Sequence, residues 1–200
     1  VAEAIPRLGT YPVIVGETGG KDFVVAHHDC DRRRLIIALV LASFEYQGQK
    51  CSACSRAYIP ESVWADIEDE LLAEVAQITM GSAANISNFM TAVIDKRSFD
   101  NIKGYIDRAN ARDSCDILIG GGCDDSVGYF VEPTIIRTTD PKAECLVEEI
   151  FGPVLTVYIY PDDEFEEALE MCDSASEYAL TGSIFSSSEE NIALASKKLR

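Results

Sequence analysis

Apolar positions fall into two alternating patterns along the chain. Short β-prone runs at 11–16 (YPVIVG), 22–26 (DFVVA), 57–60, 117–119, 154–160 and 180–185 read as strands. Most are rich in Val, Ile and Tyr and are closed by Gly, Pro, Asp or Ser. Between them lie helical stretches. The dense run LIIALVL from Leu35 to Leu41 has an Ala and neither Gly nor Pro, and predicts a buried helix over 29–47. Over 62–78, Val63, Ile67, Leu71, Val75 and Ile78 fall on one stripe, the mark of an amphipathic surface helix with Trp64 packing at its core side or rim. A second such helix spans 95–111 with Phe99, Ile102 and Ile106 inward; shorter ones are predicted over 163–172 and 187–200, the last capped by Ser187 or Ser188. Residues 79–87 and 138–145 read as loops, and CDDSVGYFVEPTI (123–135) as a β-excursion turning at Asp124-Asp125 and Gly128.

Strands alternating with helices imply an α/β fold, a largely parallel sheet with helices on both faces. No repeat or linker interrupts the 200 residues, so one domain over 1–200 is expected, large enough for a real core. The formal charge of −17, from 34 acidic and 17 basic residues, argues against nucleic acid or an anionic membrane as a partner. No apolar run approaches the roughly 20 residues of a membrane span. The start, VAEAIPRLGT, has neither a signal-peptide pattern nor the look of a transit peptide. Seven irregularly spaced cysteines point to a reducing interior rather than a disulfide framework.

The chemistry concentrates at 44–56, FEYQGQKCSACSR, where the predicted helix gives way to a strand. Gly48 permits a turn there, and the small Ser52 and Ala53 leave room beside a thiol. Cys51 and Cys54 admit several readings. A thioredoxin-like redox pair follows a strand and opens a helix, the reverse of this order. A zinc knuckle needs a second ligand pair, and His27, His28 and Cys30 do not complete one, so no metal site is expected. Ordinary buried thiols are the plain alternative, retained for Cys54. Upstream, Gly-Gly-Lys at 19–21 lacks the Gly and the Ser or Thr of a phosphate-binding loop, because Val15 and Asp22 stand at those places. What it offers is Glu17 at a strand end, a place where a carboxylate can be partly buried and its pKa raised toward working pH. A plain turn residue is the alternative for Glu17, a surface charge for Glu149 and a core aromatic for Phe151.

Three stretches together carry a resemblance. GQKCSACSR resembles the nucleophile segment of the aldehyde dehydrogenase superfamily, GETGGK (16–21) its glutamate motif, and EEIFGP (148–153) its cofactor-ribose motif, in the family's order. The wording of GETGGKDF, FEYQGQKCSACSR, CDDSVGYFVEPTI and VYIYPDD is most similar to the branch that oxidises L-glutamate γ-semialdehyde in proline catabolism. The resemblance covers essentially the whole chain and implies the catalytic domain of that fold. It implies Cys51 as nucleophile, Glu17 as base, Glu149 holding a hydroxyl of the nicotinamide ribose of NAD, Phe151 packing near the nicotinamide, and Ser52 helping to hold the substrate's α-carboxylate. It further implies a small aldehyde substrate, a homo-oligomer and the mitochondrial matrix. By the same resemblance a dinucleotide-binding half and a C-terminal anchoring segment lie outside these residues. The 200 residues alone are therefore expected to bind NAD weakly and to be inactive; a catalytically dead interaction domain is the alternative. A redox or zinc module on Cys51 and Cys54 is the third.

Overall fold

The computed structural model describes residues 4–9 and 12–199. After a short helix α1 (Ile5–Leu8), the elements run β1 (Asp22–Ala26), α2 (Arg32–Phe44), β2 (Cys54–Pro60), α3 (Glu61–Ala76), α4 (Lys96–Asn110), β3 (Cys115–Ile119), β4 (Cys123–Asp124), β5 (Phe130–Val131), β6 (Thr134–Thr138), α5 (Glu144–Val147), β7 (Val154–Tyr160), α6 (Phe165–Ser174), β8 (Gly182–Phe185) and α7 (Glu189–Lys198). Six strands form one sheet in the order β3-β6-β7-β2-β1-β8, while β4 and β5 pair as a separate hairpin. All neighbours in the large sheet are parallel except β3 and β6.

The period-2 patterns explain why both faces are covered. Val24, Ala57, Ile59, Ile135, Leu155 and Val157 join Leu35, Ile36 and Leu39 of α2 and Val63, Ile67 and Leu71 of α3 in one core layer. Val25, Tyr58, Ile136 and Val154 turn the other way, onto Phe99, Ile102 and Ile106 of α4 and Ala168 and Leu169 of α6. The helices start where their polar residues allow: Asp31, Asp95 and Ser188 accept the N–H of Arg34, Ser98 and Asn191.

Two expected elements differ. Residues 12–16 are not a strand, and Tyr11 lies outside the described residues. Val13, Ile14 and Val15 have strand propensity but are exposed and without a ladder partner among the described residues, and a strand without a ladder is not stable. Conversely, the end of the 123–135 excursion and the start of the 138–145 loop enclose β6, a central strand. Its apolar content is only Ile135 and Ile136, back to back on opposite faces and flanked by buried Thr134 and Thr138, too short a run to show as a strand. The loop also contains α5.

Topology places the chemistry. Because β1, β2 and β7 are adjacent and parallel, the segments preceding them, 16–21, 49–53 and 148–153, emerge side by side at one end of the sheet. Asp22 locks this end to the sheet edge: its buried carboxylate accepts the Leu180 N–H and the Thr181 hydroxyl, both at 2.7 Å. Removing a buried charged acceptor orphans both donors. Asp22→Ala is expected to destabilise the fold by about 3 kcal/mol, read by urea unfolding.

Candidate active site

Cys51 and Ser52 occupy the centre of a turn closed by the Ala53 N–H donating to the Lys50 carbonyl at 3.0 Å. Cys51 is half-buried and Ser52 exposed. The turn follows a sharp reversal at the end of α2 in which Tyr46 (φ 55°), Gln47 (φ 58°) and Gly48 (φ 64°) are all left-handed. Gly48 is irreplaceable on two counts: its φ disfavours a side chain, and a Cβ would lie 2.3 Å from the Gly152 carbonyl oxygen. The thiol-bearing and ribose-motif segments thus meet backbone to backbone at Gly48 and Gly152.

The third segment joins through a side chain instead. Gly19 (φ 131°) has the Glu149 carboxylate directly over it, a Cβ there falling 2.3 Å from Oε2. The Gly20 N–H donates to Glu149 Oε1 at 3.2 Å. Glu149 is nevertheless exposed, and Phe151 is 43% exposed with φ 58°. Thr18, Gly19, Gly20, Glu149, Ser176 and Tyr178 line part of a cleft of about 470 Å³ with Lys21 at its wall. Glu17 stands next to this cleft but is exposed in a segment without regular structure, so the partial burial expected at a strand end is not found. The structure therefore brings together the segments of Cys51, Ser52, Glu17, Glu149 and Phe151, with Cys51 half-buried and the other four side chains exposed. An exposed carboxylate held over a glycine pair suits the hydroxyl groups of a ribose, so the residues present fit a nicotinamide dinucleotide at this edge.

Beneath the exposed groups is a layer that the sequence did not single out. Lys21 is buried, its Nζ donating to the Cys145 carbonyl at 2.8 Å, and burial pushes its pKa down to about 7. Arg56, also buried, donates from Nε to the Lys21 carbonyl at 2.9 Å and from a terminal nitrogen to the Cys172 carbonyl at 3.1 Å. Gln47 and Gln49 hold backbone groups of Thr91, Ala92 and Ile94. The signal that could have found them is that all four lie within the quoted segments GETGGK and FEYQGQKCSACSR.

Cys54 is buried, and desolvation pushes its thiol up to about 12, unfit for a thiolate partner of Cys51. The seven cysteines are free thiols. Among the described residues no group of three or more His, Cys, Asp or Glu side chains is placed to hold a metal ion, and no helix is long and apolar enough to cross a membrane.

The architecture and site define an α/β domain that presents a thiol at the amino end of a central strand, between a glycine-cradled carboxylate and a second acidic motif. Residues 3–200 match the model of the aldehyde dehydrogenase family, and the chain belongs to that family. It is 54% identical over 190 residues to the mitochondrial delta-1-pyrroline-5-carboxylate dehydrogenase of Dictyostelium discoideum, covering 95% of this chain and 34% of the relative. To the mitochondrial enzyme of the same name from Homo sapiens it is 46% identical over 201 residues, covering 100% and 36%. The structure superposes with a TM-score of 0.90 and 43% identity on the Mycobacterium tuberculosis delta-pyrroline-5-carboxylate dehydrogenase bound with NAD, covering 98% of this chain and 36% of that one. The chain thus spans about a third of the length of the relatives it matches.

Two outcomes follow from the site's geometry. Gly48→Ala, through its φ and the contact with Gly152, is expected to cost about 2–4 kcal/mol in urea unfolding. For Lys21, the folded pKa lies below the unfolded one, so the stability it withholds while charged returns as pH rises from about 7 toward the unfolded value near 10. Relative to Lys21→Met, the chain should gain stability across that window by up to about 1 kcal/mol per pH unit, seen in chemical unfolding at fixed pH values.

Proposed function

We propose that the chain is the thiol-bearing part of an NAD-dependent aldehyde dehydrogenase that converts L-glutamate γ-semialdehyde, the open form of Δ1-pyrroline-5-carboxylate, to L-glutamate. The observation that carries this reading is the convergence of the three motif segments at the amino ends of β1, β2 and β7. The 54% identity to a delta-1-pyrroline-5-carboxylate dehydrogenase supports the particular substrate.

The roles follow from what oxidising an aldehyde requires. A planar carbonyl carbon does not readily give up hydride, so the Cys51 thiolate first adds to it and forms a thiohemiacetal. The Cys51 backbone N–H is the donor proposed for the resulting oxyanion. NAD, when bound, supplies the two-electron oxidation that leaves a thioester on Cys51. Glu17, facing solvent, takes a proton from the water that hydrolyses the thioester; glutamate departs and the thiolate is restored. Glu149 holds a ribose hydroxyl, Phe151 packs near the nicotinamide, and Ser52 helps to hold the substrate's α-carboxylate.

The relatives are about three times as long, which supports placing the remaining cofactor contacts, the substrate anchor and the surfaces of a homo-oligomer in segments outside these 200 residues. On this reading 1–200 is the catalytic domain, binding NAD weakly by itself and not turning over. The mitochondrial relatives support action in that compartment.

Alkylation with iodoacetamide, located by mass spectrometry, tests the nucleophile. Cys51 and Cys123 are both half-buried, and desolvation raises the pKa of the Cys123 thiol, so Cys123 serves as the unactivated reference. At least tenfold faster labelling of Cys51 is expected; equal rates at the two thiols would refute an activated nucleophile in this chain.

A further inference from the structure

The turn that delivers Cys51 is held from outside itself. Tyr46, Gln47 and Gly48 are three consecutive left-handed residues, two of them with side chains. L-residues adopt that conformation singly and rarely, and a run of it persists only where the surroundings over-determine it.

The 91–94 segment supplies that constraint. Gln47 is 6% exposed, and its amide engages the segment twice: Oε1 accepts the Thr91 N–H at 3.1 Å and Nε2 donates to the Ala92 carbonyl at 3.3 Å. Gln49 Oε1 accepts the Ile94 N–H at 2.9 Å. The segment is itself anchored, because the Met90 N–H donates to the Thr79 carbonyl and the Val93 N–H to the Tyr129 carbonyl at 2.8 Å. The buried Phe44 on one side and the Gly48–Gly152 contact on the other fix the two ends of the reversal. Between them, among the described residues, the glutamine amides make the hydrogen bonds that reach across to the neighbouring loop.

We infer that Gln47, seconded by Gln49, is a positioning residue for Cys51: its amide latches the left-handed reversal to residues 91–94 and so sets how the thiol is presented. This rests on Cys51 being the nucleophile. Gln47 is asked to act through the backbone that carries Cys51 rather than on the reacting atoms.

The test combines amide hydrogen exchange with the alkylation ratio of Cys51 to Cys123, on the chain and on Gln47→Ala. The variant should exchange the Thr91 and Ile94 amides at least tenfold faster while the Val157 amide in β7 keeps its rate. The alkylation ratio should fall at least fivefold. Gln47→Glu keeps the acceptor for Thr91 and loses the donor to Ala92, and should restore Thr91 protection with part of the ratio. Faster exchange at Thr91 with an unchanged ratio overturns the proposal, since the latch would then be structural only. Should Val157 also exchange faster, Gln49→Ala carries the test: it must lower the ratio and speed Ile94, and an unchanged ratio there is equally fatal. A wild-type chain without preference for Cys51 is a different failure, visible before any variant is made, and removes the nucleophile itself.

Discussion

The end of the sheet that carries the three motif segments depends on two buried basic side chains that donate to backbone carbonyls. Lys21 reaches from the first motif to the Cys145 carbonyl just ahead of the third, and the same carbonyl accepts the Thr156 hydroxyl at 2.9 Å. Arg56, closing the second motif, donates to the carbonyl of Lys21. One chain of bonds therefore joins all three segments beneath the surface. Burying an isolated ammonium costs several kcal/mol, and the lowered pKa of Lys21 is the way out, since the neutral amine still donates. A guanidinium has no such escape, and Arg56 is accordingly surrounded by two carbonyls, the Tyr58 hydroxyl and the rings of Phe23 and Tyr58 at 5.5 and 5.9 Å.

The result is a division of labour by depth. Of the groups assigned to chemistry, Glu17, Ser52, Glu149 and Phe151 are exposed and Cys51 is half-buried, whereas the groups that fix their backbones, Lys21, Asp22, Gln47 and Arg56, are buried. Loops placed by a rigid scaffold are where reactive groups are usually found, because backbone position and side-chain freedom can then be set separately. The ion pairs elsewhere add little to this. Arg33 with Glu70 and Glu74, or Lys103 with Asp107, are exposed and screened by solvent, so pairs of that kind contribute little.

Much of this was legible in the residues. Strand β7 falls at 154–160 as the Val, Tyr and Ile run implied, and α4 lies within one residue of the 95–111 pattern at each end. The helix-to-strand junction around Cys51 follows from where the apolar run stops and from Gly48. What failed has physical reasons. Residues 12–16 have the composition of a strand, but composition cannot supply a ladder partner. Strand β6 hides because a central strand can be completed by buried threonines, whose hydroxyls find partners only in three dimensions: Thr134 with the Glu132 carbonyl, Thr138 with Ser114. Gln47 was invisible for the same reason, as its partners lie 44 and 45 positions away in a loop.

The contact between Gly48 and Gly152 has a further implication for how such a site works. A Cβ on Gly152 would lie 2.5 Å from Ile102 of α4, so the turn bearing Phe151 is pinched between that helix and the reversal that precedes Cys51. Neither turn can shift without pressing on the other, and packed contacts of this kind give way in discrete steps rather than continuously. A displacement of the turn that bears Glu149 and Phe151 would therefore press on the reversal ahead of Cys51. Backbone contact, with no side chain between the two glycines, leaves little slack to absorb the displacement, and it makes the thiol and the carboxylate edge parts of one mechanical unit.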